Sequence, residues 1–167
     1  MPSFAALAAQ WPDVALAQLA RLSTPQAIAA WLAAANTSDW GQLRAPLSVL
    51  RDSRCNPLDA GLFAAAALRQ LGHPPRVVVG VWAGAPSVAA LFTVARRVGA
   101  IGVSCGQPSC FWPAQQPSVR ALQSKAMLSE APAKQPFALA NCDVLDWLTD
   151  DSGAETALHQ LLARYGL

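Results

Sequence analysis

Apolar residues recur at helical spacing through the first part of the chain. Phe4, Leu7 and Trp11 make one stripe, and after Pro12 the residues Val14, Leu16, Leu19 and Leu22 carry a second. Thr24-Pro25 is a helix start, a capping hydroxyl followed by a proline suited to the first turn. Ile28, Trp31 and Leu32 give that helix its apolar face, and Asn36-Thr37-Ser38 ends it. Residues 3–36 therefore read as helix, and Pro46 to Leu50 as one or two further turns.

The polar face then disappears. Asn56-Pro57 supplies a cap and a first helical residue, and Gly72 is a terminator. Between them Leu62, Phe63, Ala64 to Ala67 and Leu68 are apolar on every side of a helix. A helix apolar all round is a buried one. The pattern predicts a core helix from Pro57 to Leu71, with Cys55 just before it.

After Pro74-Pro75 the period changes. Arg76 to Trp82 is β-branched and bounded by turn residues, so it reads as a strand; Val88 to Ala95 and Ala100 to Ser104 read as two more. Connections this short favour antiparallel neighbours in sequential order. Residues 106–117 hold three prolines and read as a loop. Ser118 to Glu130 reads as a helix and Pro132 to Pro136 as a linker. Cys142 to Leu148 and Gly153 to Tyr165 read as two closing helices, with Gly166 at the final cap. The fold class is α+β: a helical part (1–50), a core of one buried helix on a small antiparallel sheet (54–104), and a loop with closing helices (105–167).

Composition limits what such a chain does. Its 167 residues make one domain, 1–167. Apolar residues are 53% and charged residues only 13%, which fits either alanine-filled helices or a surface covered by a partner. The net charge of +2 is too small and scattered to argue for nucleic acid. No apolar run approaches the ~18–20 residues of a membrane span, and Met1 to Trp11 lacks the basic start of a signal peptide. The expected location is cytoplasmic, where thiols stay reduced. Cys105 and Cys110 have no second ligand pair at metal spacing, so neither zinc nor another cofactor is expected. The sequence carries no signal of oligomeric state.

One constellation has chemical content. A cysteine before a helix start meets exposed N–H groups and the positive end of the dipole, which favour a thiolate and can hold an oxyanion. Arg54 adds charge beside it. A packed core thiol is the other reading of the same position. Asp52 and Asp59 lie close in the chain and raise a thiol pKa if charged, so they are expected to be solvated or capping groups.

The stretch from Cys55 to Gly80 resembles the core of the transglutaminase-like superfamily, cysteine enzymes of papain-like chemistry. Leu68-Arg69-Gln70-Leu71-Gly72 and Pro75-Arg76-Val77-Val78 match the helix end and strand entry of that family. Ala90 to Val94 resembles its histidine-bearing strand, and Gly99 to Ser104 the strand ending at its third catalytic residue. The resemblance implies Cys55 as nucleophile, cutting or transferring an amide acyl group. It puts Ala90 at the expected histidine and Ser104 at the expected aspartate, and neither takes a proton from a thiol at neutral pH. His73 falls at the far end of the Cys55 helix, and His159 on the last helix is the other imidazole. Trp82 ends a strand on the side of the family's substrate cleft, and Trp112 in the proline-rich loop is a candidate exposed binding residue. Two functions follow: a crippled cysteine acyltransferase, amidase or protease, or a non-catalytic module that binds a peptide or protein.

Overall fold

The structure is a computed structural model that describes residues 11–37, 41–82, 85–104, 107–125, 137–138 and 147–167. Three short helices come first: α1 (Asp13–Ala20), α2 (Pro25–Ala34) and α3 (Pro46–Asp52). Thr24 caps α2 as its position predicts, its hydroxyl accepting from the Ala27 N–H at 3.1 Å. Residues 36–37 do not simply end that helix. They form β1 (Asn36–Thr37), which pairs in parallel with β2 (Arg54–Cys55).

The predicted core helix is α4 (Asp59–Gln70), and every residue from Asp59 to Leu68 is buried. It lies on an antiparallel sheet of β3 (Arg76–Trp82), β4 (Ala85–Val94), β5 (Arg97–Ser104), β6 (Gln107–Gln116) and β7 (Phe137–Ala138). The strand order is β6-β5-β4-β3-β7. The three predicted strands are present in sequential order, β3 with the expected bounds and β4 and β5 each starting three residues earlier than expected. The segment 106–117, read as a loop, is instead mostly strand β6. Its prolines remove ladder donors, and a strand so depleted is tolerated at an edge. β6 is the edge, and its pairing with β5 carries two register shifts.

Side chains on β3, β4 and β5 alternate between two buried faces. Val77, Val79, Val88, Ala90, Phe92 and Ile101 join the core around α4. Val78, Ala89, Leu91 and Ala100 pack on the opposite face with Leu122 of α5 (Val119–Lys125). Burial on both faces explains why Val88 to Phe92 reads as a continuous apolar run rather than an alternating one. Gly61 sets the closeness of helix and sheet, because a Cβ there would overlap Val88.

The last helix, α6 (Asp151–Tyr165), buries Ala154, Ala157, Leu158, Leu161 and Tyr165 at helical spacing. Asp150 caps it through the Gly153 N–H. The expected helix 142–148 falls mainly outside the described residues, and 147–149 form a turn. Residues 126–136, which hold the end of the expected 118–130 helix and the expected linker, also lie outside them. No helix among the described residues is long and apolar enough to cross a membrane.

Candidate functional site

The head of α4 is organised by Asn56 and Asp59, three residues apart. The Asn56 side-chain oxygen accepts from the N–H groups of Leu58 (2.8 Å) and Asp59 (3.1 Å). One Asp59 carboxylate oxygen accepts in return from the Asn56 N–H at 2.7 Å. This is a reciprocal capping box with Asn and Asp in the two roles. The Asn56 carbonyl accepts from Ala60 N–H, and the Leu58 carbonyl from Gly61 N–H. Every N–H from Asn56 to Gly61 is therefore used within the turn, Pro57 having none.

Asp59 reaches beyond its own turn. Its second oxygen accepts from the Arg44 N–H at 3.2 Å. The next N–H, that of Ala45, goes to Asp151 at 2.7 Å. Two carboxylates from two helices thus hold consecutive backbone donors of the segment before α3. Asp59 is wholly buried. Burial pushes its carboxyl up to about 7; the N–H groups of Asn56 and Arg44 and the Arg44 charge pull it down, and Asp151 pushes it up again. Asp52 differs. It pairs with Arg51 and Arg44 near the surface, which holds its carboxyl below the usual range, the Arg51 hydrogen bond first.

Cys55 is the last residue of β2 and stands one place before the capping residue, so the cysteine precedes the helix as a strand residue. It is 4% exposed. Burial, and then the neighbouring Asp59, push its thiol up to about 12. The dipole that would favour a thiolate meets a capped helix end, an apolar surround and an acid. Arg54 is exposed beside it.

The structure places the residues singled out in the sequence on several elements. The β4 residue that meets the helix head is Val88, whose N–H donates to the Pro57 carbonyl at 2.9 Å. Ala90 is buried two residues further along β4, toward the helix tail, paired with Val77 and Ile101. Ser104 is the last residue of β5, paired with Gln107. His73 stands beyond the tail of α4, its ring edge-on to Phe92 at 6.0 Å; the helix spans 12 residues, or about 18 Å. His159 is on the exposed side of α6. Among the described residues no cluster of His, Cys, Asp and Glu suits a metal ion.

The two candidate tryptophans also separate. Trp82 is the last residue of β3, paired with Ala85. Trp112 is no exposed loop residue: it lies on β6 opposite Ala100, half-buried against Val78, Ala89, Leu91 and Leu122. Its proline neighbours gave a loop reading, but the strand turns its ring onto the outer face of the sheet. A depression the sequence did not reveal lies among the first three helices. It measures about 210 Å³ and is lined by Gln18, Arg21, Leu22, Trp31, Leu50 and Ser53. Trp31 packs against Phe63 of α4, with ring centroids 4.6 Å apart. The signal for Trp31 was only its apolar spacing, which does not distinguish a groove wall from core.

No model of a known protein family matches the chain, and a comparison with curated proteins finds no match either.

Proposed function

We propose that this chain is a transglutaminase-like domain without acyl-transfer chemistry, a non-catalytic module that binds a peptide or protein. One observation carries the reading: the N–H groups at the head of α4 are all occupied by Asn56, Asp59 and the helix itself. An oxyanion needs donors aimed at it and otherwise free. The thiol adds to this. With its pKa at about 12, about one molecule in 10⁵ is thiolate at neutral pH. A buried acid stands where an enzyme would place a base. A cytoplasmic location, with reduced thiols, belongs to the same reading.

The test is the pH–rate profile of Cys55 alkylation by iodoacetamide, with Cys55→Ser as the blank. Slow reaction that rises only in alkaline solution is expected. Fast alkylation near about pH 6, the mark of an imidazole-paired thiolate, would overturn the non-catalytic reading and restore a cysteine acyltransferase, amidase or protease.

A further inference from the structure

The depression among α1, α2 and α3 combines an apolar floor with a cation, Arg21. Leu22 and Leu50 are buried and Trp31 is half-buried; Gln18, Arg21 and Ser53 stand at the rim. Among the described residues Arg21 is the only charged one in its wall, and neither the Arg44–Asp52 nor the Arg51–Asp52 pair involves it. One wall is fixed by the left-handed Ser53, with φ of 50°, whose carbonyl accepts from Asn36 N–H at 2.9 Å. Because Ser53 lies two residues before Cys55, the depression borders the β1–β2 pair rather than the sheet.

Its size and its charge together restrict the occupant. A closed apolar cavity of about 150 Å³ takes a benzene, whereas drug-sized ligands need about 300 Å³ or more. A volume of about 210 Å³ therefore suits one apolar side chain with one small polar group. The guanidinium asks for an anion, and it pairs best with a carboxylate. Apolar group and carboxylate must then belong to one residue. An internal Asp or Glu offers the charge without the apolar group, while an apolar residue at a chain end offers both.

We propose that this depression binds the C-terminus of a partner polypeptide ending in an apolar residue, with the α-carboxylate on Arg21 and the side chain over Trp31, Leu22 and Leu50. Gln18 and Ser53 offer further donors at the rim. This rests on the binding-module reading and gives it a ligand.

The experiment is calorimetric titration of the full chain with an N-acetylated Gly-Gly-Phe peptide, as free acid and as C-terminal amide. Trp31 is followed by its indole N–H resonance. The acid is expected to bind about tenfold more tightly than the amide and to shift the Trp31 resonance. Arg21→Gln should bring the acid down to the level of the amide, and Arg21→Lys should keep part of the difference. Arg21 is exposed at the end of α1, so these variants should fold. Equal binding of acid and amide, or no binding of either at millimolar peptide, overturns the proposal. So does N-acetylphenylalanine binding as tightly as the tripeptide, which would make a free aromatic acid the ligand. Equal binding of a capped peptide with an internal Phe-Glu would make an acidic segment the ligand and overturns it as well. The acid preference should survive in Cys55→Ser. Fast alkylation of Cys55 would thus remove the non-catalytic reading alone, and loss of the preference beside slow alkylation would remove only the ligand.

Discussion

The head and the tail of α4 end the same helix with different chemistry. At the tail, Gly72 takes φ of 87°, its N–H bonds the Arg69 carbonyl, and the His73 N–H bonds the Leu68 carbonyl. That is a Schellman stop made of backbone alone, and it lies toward the surface. At the head, two polar side chains are driven to zero exposure, tied to donors of their own turn and to the Arg44 N–H of the segment before α3. Burying polar groups this way is favourable only while every partner is present. A tail stop is local and replaceable, whereas the head is a junction. The N–H groups from Asn56 to Gly61 are used in holding that junction together.

Removing one partner at each end should expose the difference most strongly. Asn56→Ala strands the buried N–H groups of Leu58 and Asp59 and deletes the cap. We expect a loss of about 2–4 kcal/mol in urea unfolding. Gly72→Ala forces a Cβ into left-handed backbone and should cost about 1–2 kcal/mol. Equal losses would mean that the capping box is ordinary.

The two ends should also respond to pH with opposite sign. Asp59 titrates at about 7 in the fold against 3.8 in the open chain. Its contribution is full below 3.8 and is lost as pH rises through 7, because the unfolded chain gives up the proton first. Between about pH 5 and pH 8 this amounts to roughly 2–3 kcal/mol of lost stability. His73 is shifted the other way: burial lowers its pKa below 6.5. Its contribution is present above 6.5 and falls away as pH drops through the folded value. Denaturant midpoints should therefore fall less between about pH 4 and pH 7 in Asp59→Asn, and rise less on the way up to about pH 6.5 in His73→Gln. An unchanged slope between about pH 4 and pH 7 in Asp59→Asn would show that Asp59 does not titrate in the core.

A smaller effect tests the contact that joins the head to the sheet. Alanine at Gly61 gains about 1 kcal/mol of helix propensity but overlaps Val88. Overpacking costs about 1–3 kcal/mol, so Gly61→Ala should be destabilising by about 1 kcal/mol. A stabilised variant would mean that α4 can retreat from β4 freely.

The tail was legible in the sequence and the head only partly. Gly72 after an apolar run is a local signal, and local signals fix the ends of α4 to within a residue or two. Asn56 reads as a cap, and the Asn-x-x-Asp spacing that makes the box is present in the sequence. What could not be read is that Asp59 also holds the Arg44 N–H, fifteen residues away, and so is buried rather than solvated. Long-range backbone donors leave no trace in spacing. β6 was missed for another reason. Its prolines argue against a strand, and only its place at the edge, a property of the sheet, makes them tolerable. The depression at Arg21 needs three helices in place, so no pattern within one of them announces it.

The prolines of β6 matter in a further way. Pro108 and Pro113 carry no amide N–H, so the edge strand β6 has fewer donors than its length would give. An edge short of donors is a poor template for polymerisation. That lowers the risk of strand-to-strand association in a charge-poor, alanine-rich protein.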